Sequence, residues 1–92
     1  MSANHFGRRT VGSVLRASIQ RAASGKARFD SHDGKEYENR DGLLPPGRYQ
    51  EWTVAKPDAK RGPDRIIIEG DAANPNAIYY WDHVNAPVRI GP

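Results

Sequence analysis

Apolar positions in the first third of the chain recur at helical spacing. Val11, Val14, Leu15, Ile19 and Ala22 form one stripe, while Arg16, Gln20 and Arg21 lie off it. Thr10 stands where an N-cap is wanted, and Gly25 follows the last periodic residue as a C′ stop. Arg21 in the last turn and Lys26 just beyond it put positive charge at the negative end of the helix dipole. These signals predict a helix over residues 11–24. Residues 1–9 have no period and read as a flexible basic arm.

Residues 26–47 are polar and broken by Asp33-Gly34, Asp41-Gly42 and Pro45-Pro46-Gly47, with room for one short strand through Phe29 or Tyr37. The period then changes to two. Tyr49–Val54 alternates, with Tyr49, Glu51 and Thr53 on one face and Gln50, Trp52 and Val54 on the other. Lys56–Asp64 reads as a loop. Arg65–Glu69 is the most apolar run and reads as the central strand. Asp71–Asn76 turns the chain, Ala77–Trp81 forms the next strand, and Val88–Ile90 a short edge strand. Short loops join antiparallel neighbours. The expected fold is therefore α+β, one N-terminal helix packed on a three- to five-stranded antiparallel sheet, in a single domain over residues 10–92.

Composition narrows the function. A chain of 92 residues, 37% of them hydrophobic, supports one thin core. No apolar run approaches the roughly 20 residues a membrane-spanning helix needs, so no membrane role is expected. Cysteine is absent, which excludes disulfides, thiol catalysis and cysteine-ligated zinc. The histidines at 5, 32 and 83 lack metal-ligand spacing, so neither metal nor cofactor is expected. The net charge is +3, unevenly spread: residues 1–29 carry six bases and no acid, and residues 30–41 five acids against two bases. Such a chain can attract a polyanion and still offer an acidic segment to something else, although a solubilising surface has the same pattern. The apolar stretch Val11–Ile19 is interrupted by Gly12, Ser13, Arg16 and Ser18, so it is no signal-peptide core.

The residues able to do chemistry lie on the strands. Glu51 sits among aromatics, where a carboxylate is costly unless paired or working. Arg65 opens the most apolar strand, Arg61 lies four residues before it, and His83 ends the third strand. A carboxylate and an imidazole can act as base and acid, and arginines can grip a phosphate. The same set also fits an ordinary salt bridge and a solvated histidine.

Order and spacing add to this. Tyr37-Glu38-Asn39-Arg40-Asp41-Gly42-Leu43-Leu44-Pro45, then Tyr49-Gln50-Glu51-Trp52-Thr53-Val54, Arg61-Gly62-Pro63-Asp64-Arg65-Ile66 and Asp82-His83 resemble the microbial guanyl-specific ribonucleases, the barnase-like and small Streptomyces-type enzymes. The resemblance runs over roughly residues 29–90, and the helix before it also matches. It implies the microbial ribonuclease fold, with Glu51 as general base, His83 as general acid, Arg65 and Arg61 as phosphate ligands, and Glu38, Asn39, Arg40 and Asp41 as the guanine-recognition loop. Single-stranded RNA is the implied substrate.

The chain departs from the family pattern in four places. The recognition carboxylate is Asp41 where the family usually has Glu. Val84 follows the histidine where aromatics are frequent. The stretch Tyr79–His83 is one residue shorter than in the bacterial relatives, and a one-residue change swaps strand faces unless a bulge absorbs it. The loop between Glu51 and Arg65 is one residue shorter than in the Streptomyces enzymes.

The resemblance further implies a monomeric toxin module, secreted or delivered into a target cell as part of a larger exported protein, and an acidic barstar-like inhibitor or immunity protein. Two alternatives stay open: a noncatalytic RNA- or protein-binding module on the same fold, and a ribonuclease without guanine preference.

Overall fold

The computed structural model describes residues 14–26, 32–54 and 61–92. Helix α1 is described over residues 14–24, so the expected start at Thr10, the basic arm and the Phe29 strand candidate lie outside the described residues. The helix ends as its sequence predicts. Gly25 takes a left-handed φ of 70°, its N–H donates to the Ala22 carbonyl, and the Lys26 N–H donates to that of Arg21. These two bonds make a Schellman motif, which gives late helix carbonyls their donors.

Five strands follow in chain order: β1 Lys35–Tyr37, β2 Tyr49–Thr53, β3 Arg65–Asp71, β4 Asn74–Trp81 and β5 Val88–Gly91. They form one antiparallel sheet in the order β1-β2-β3-β4-β5, a meander of nearest neighbours. The expected helix on an antiparallel sheet is what the chain builds. Two boundaries differ from the pattern. The Asp71–Asn76 turn contracts to Ala72-Ala73, because β3 and β4 keep pairing out to Asp71 and Asn74 through a bulge beside Gly70, whose φ is 83°. Val54 lies just past the end of β2, its N–H donating to the Asp64 carbonyl at 3.1 Å.

Alternation splits the sheet into two environments. On the helix side, Trp52, Val54, Ile66, Ile68 and Ile78 pack with Val14 and Ala22, and Leu15, Ile19 and Tyr80 close the edge. On the other side Leu44, Tyr49 and Ile67 form a smaller cluster with Tyr37, Tyr79 and Trp81. Ile66, Ile67 and Ile68 have no exposed surface, which makes β3 the strand buried on both faces.

The central strand therefore carries the stability. Ile66→Ala should cost about 2–5 kcal/mol in urea unfolding. Val88→Ala, at an exposed edge position, should stay within about 0.5 kcal/mol.

Candidate active site

The face away from the helix holds the polar groups. Thr53 pairs with Arg65 and Arg65 with Trp81; Lys35 pairs with Glu51, Glu51 with Ile67, and Ile67 with Tyr79. Residues directly opposite in a sheet project from the same face. Glu51, Arg65 and Trp81 thus share one surface, as the alternation of Tyr49, Glu51 and Thr53 anticipates.

Arg65 is buried, and its Nε lies 3.8 Å from Glu51 Oε2. Its Nη1 donates to the carbonyls of Gly62 and Asp64. These bonds leave Nε buried with no hydrogen-bond partner. A buried donor without an acceptor is costly and uncommon. It lies beside the Glu51 carboxylate, at ion-pair but not hydrogen-bond distance. Burial pulls the Arg65 guanidinium below its ordinary value and the nearby Arg61 charge pulls it further, while Glu51, Asp33 and Asp64 oppose both. Arg61 Nε donates to Thr53 Oγ1 at 3.0 Å, which places a second guanidinium at the same strand end.

His83 is reached from the same turn. Its Nδ1 lies 2.5 Å from the Pro63 carbonyl, between the two residues whose carbonyls hold Arg65. A carbonyl can only accept, so Nδ1 carries the hydrogen and Nε2 is left for other work. His83 has a φ of 68°, an unusual left-handed conformation for a residue other than glycine. Asp82 braces this turn: Oδ1 accepts from the N–H groups of Val84 and Asn85, both at 2.8 Å, and Oδ2 from the Asn85 side chain at 3.1 Å. Those backbone bonds hold the Asp82 carboxyl below its usual range. The shortened Tyr79–His83 stretch therefore keeps β4 in register with β3 through Trp81 and reverses at His83. A bulge shifts the β4–β5 register between Ile78 and Tyr79.

The loop after β1 forms a concavity of about 290 Å³ lined by Glu36, Tyr37, Glu38, Asn39, Arg40, Asp41 and Trp81. Asn39 shapes it, with a left-handed φ of 55° that asparagine tolerates well. Its Oδ1 accepts from the Leu44 N–H at 3.1 Å and its Nδ2 donates to the Leu44 carbonyl at 2.8 Å, so the side chain staples the loop. Gly42, with φ 65°, closes the turn by donating to the Asn39 carbonyl. Arg40 pairs with Glu38 at 2.5 Å, exposed to solvent. Burial raises the Tyr37 hydroxyl above its ordinary value, and the charges of Asp41 and Glu51 add to the rise.

The residues expected from sequence thus fall into two linked groups, Glu51, Arg61, Arg65 and His83 around one turn, and Glu38 to Asp41 around one concavity. His32 is exposed in the turn before β1. Two residues escaped the sequence reading. Lys35 stands opposite Glu51, but β1 is only three residues long and carries no periodic signal. Trp81 looks like one more apolar strand residue until the register places it beside Arg65.

A comparison of the chain with curated proteins gave no match. A family model described as ribonuclease matches residues 2–88. With a helix on a five-stranded antiparallel sheet and this ordered set of residues on its open face, the chain belongs to the microbial, barnase-like ribonucleases.

Proposed function

We propose that this protein is a metal-independent endoribonuclease that cuts single-stranded RNA 3′ of guanine by transphosphorylation. The observation that carries the reading is the partnerless Nε of buried Arg65, facing Glu51 across 3.8 Å. RNA brings its own nucleophile, the ribose 2′-hydroxyl. Glu51 accepts its proton as the 2′-oxygen attacks phosphorus. The guanidinium of Arg65, with Arg61 beside it, meets the nonbridging oxygens, whose negative charge grows toward the transition state. His83, protonated, gives its Nε2 proton to the departing 5′-oxygen. The products are a 2′,3′-cyclic phosphate and a free 5′-hydroxyl.

Hydrolysis of the cyclic phosphate runs the same groups in reverse. Neutral His83 takes a proton from water through Nε2, and protonated Glu51 returns one to the 2′-oxygen. Nδ1 keeps its hydrogen and donates it to the Pro63 carbonyl in both protonation states, so the ring need not turn between the steps.

For the base, the concavity beside Tyr37 offers a carboxylate at Asp41 and a loop backbone held by Asn39. Among the described residues, the N–H groups of Arg40 and Asp41 meet no backbone acceptor. They are available to the guanine O6 edge while Asp41 accepts from N1–H and the amino group. Asp41 is one methylene shorter than the family's usual Glu, which favours a second reading, cleavage with relaxed base choice. A biological role as a delivered toxin completes the proposal, restrained by an acidic immunity protein that covers Arg61, Arg65 and His83.

Purified protein with EDTA should convert RNA to fragments ending in cyclic phosphate and leave DNA whole. Glu51→Gln and His83→Gln should each lower kcat/KM by roughly 10²–10⁴-fold; activity retained in both would remove the assigned roles. On a panel of dinucleoside phosphates GpN should be cut fastest, and Asp41→Glu should widen its lead; equal rates on all four bases would favour the relaxed reading. The brace on His83 gives a pH dependence. The Asp82 carboxyl titrates lower in the folded chain than in the unfolded one, so its contribution is whole above the unfolded value and is lost as pH falls through the folded one. Asp82→Ala should reproduce at neutral pH the looser His83 turn expected in acid, as a fall in kcat without unfolding by circular dichroism.

A further inference from the structure

Trp81 joins the two halves of the site. Its indole stacks on the His83 imidazole with ring centroids 3.9 Å apart and planes 30° apart. It also meets Tyr37 edge-on at 5.9 Å and 66°, and it lines the same concavity as Glu38, Asn39, Arg40 and Asp41. In the sheet it lies directly opposite Arg65. No other residue in the described parts of the chain touches both the histidine and the base concavity through its ring.

The two tryptophans differ in a telling way. Trp52 is buried in the helix-side core, and its Nε1 donates to Gln50 Oε1 at 2.6 Å. Trp81 is only half-buried, and among the described residues no acceptor takes its indole N–H. An aromatic placed for packing alone normally has that donor satisfied or well out in water. This one lines the concavity of the loop after β1.

His83 needs such a partner. It is exposed and sits on a left-handed residue. One hydrogen bond, from Nδ1 to Pro63, fixes a point of the ring but not its plane. A flat, rigid neighbour that does not titrate fixes the plane without competing for the proton. The adjacent position is Val84, 85% exposed and without a ring.

We propose that Trp81 is a specificity-determining and positioning residue, whose one indole walls the base concavity and holds the plane of the His83 imidazole. This rests on the ribonuclease reading above. The bound base meets the indole as a side wall, and the general acid is aligned by the same group.

The test compares Trp81→Ala, Trp81→Leu and Trp81→Phe with the unaltered chain on GpN dinucleotides, with folding checked by circular dichroism. Trp81→Ala should raise KM about tenfold, as loss of a base–aromatic contact does, and lower kcat about tenfold through a misplaced acid. Trp81→Phe should recover most of kcat, and Trp81→Leu, bulky but without a ring, should not. Guanosine 3′-monophosphate should change the fluorescence of the unaltered chain and leave that of Trp81→Phe, which reports Trp52 alone, unchanged. The inference is overturned if folded Trp81→Ala keeps kcat and KM within about twofold, or if Trp81→Leu matches Trp81→Phe. It is likewise overturned if nucleotide leaves the Trp81 signal still. Should Trp81→Ala fail to fold, the Leu, Phe and fluorescence comparisons decide alone. If the unaltered chain cuts no RNA, it is the ribonuclease reading that falls, while the nucleotide titration still tests the wall.

Discussion

The Arg65 guanidinium is held by the carbonyls of Gly62 and Asp64 and lies beside the Glu51 carboxylate while almost none of it meets solvent. Taking a cation out of water is expensive, and removing one member of a buried charge pair typically costs about 3–5 kcal/mol. The surroundings of Arg65 meet that cost only in part, since Nε keeps no hydrogen bond. The deficit is local and lies beside the Glu51 carboxylate. In the proposed mechanism this guanidinium is the group that meets the phosphate.

The turn that grips Arg65 organises the other groups. Its three consecutive carbonyls, at Gly62, Pro63 and Asp64, accept from Arg65, His83 and Arg65 again. The Asp64 carbonyl also takes the Val54 N–H, which ties the turn to the end of β2. From the far side, burial and then the Asp64 carboxylate push the Tyr80 hydroxyl up to about 12. One short segment is therefore fastened to β2, β3 and β4, and it places a cation and an imidazole relative to each other. Small shifts in such a segment move both, which makes it a sensitive part of the machinery even though none of its own side chains needs to touch substrate.

A sheet with a helix on one side only leaves its other face free for chemistry. The helix-side cluster supplies most of the apolar packing, and β3 anchors both faces through Ile66, Ile67 and Ile68. The open face could then accept Glu51, Arg65, Thr53 and half-buried aromatics with less loss of core. The irregular backbone sits at the rim of that face. Asn39 and His83 both take left-handed conformations, and each is stabilised by a local polar side chain, the first by its own amide and the second by Asp82. Rigid strands carry Glu51 and Arg65, while braced turns carry Asn39 and His83, the groups to which the proposed mechanism gives its roles.

The two periods along the chain were enough to define the helix, the alternation of β2 and the central position of β3, because burial of one face is a local property of spacing. The ordered residues from Asn39 to His83 likewise carried the family and the candidate chemistry, since their types and order survive without coordinates. What the linear pattern left open was everything set by register. The short β1 has too few residues to show a period, so Lys35 opposite Glu51 was invisible. Nothing in the spacing singles out Trp81 within its strand, yet the sheet sets it opposite Arg65, sixteen positions earlier, and its ring stacks on His83. In a strand, a shift of one residue exchanges the two faces. Only the assembled sheet, with its bulges and its left-handed turn at His83, could decide which side chains share the cleft.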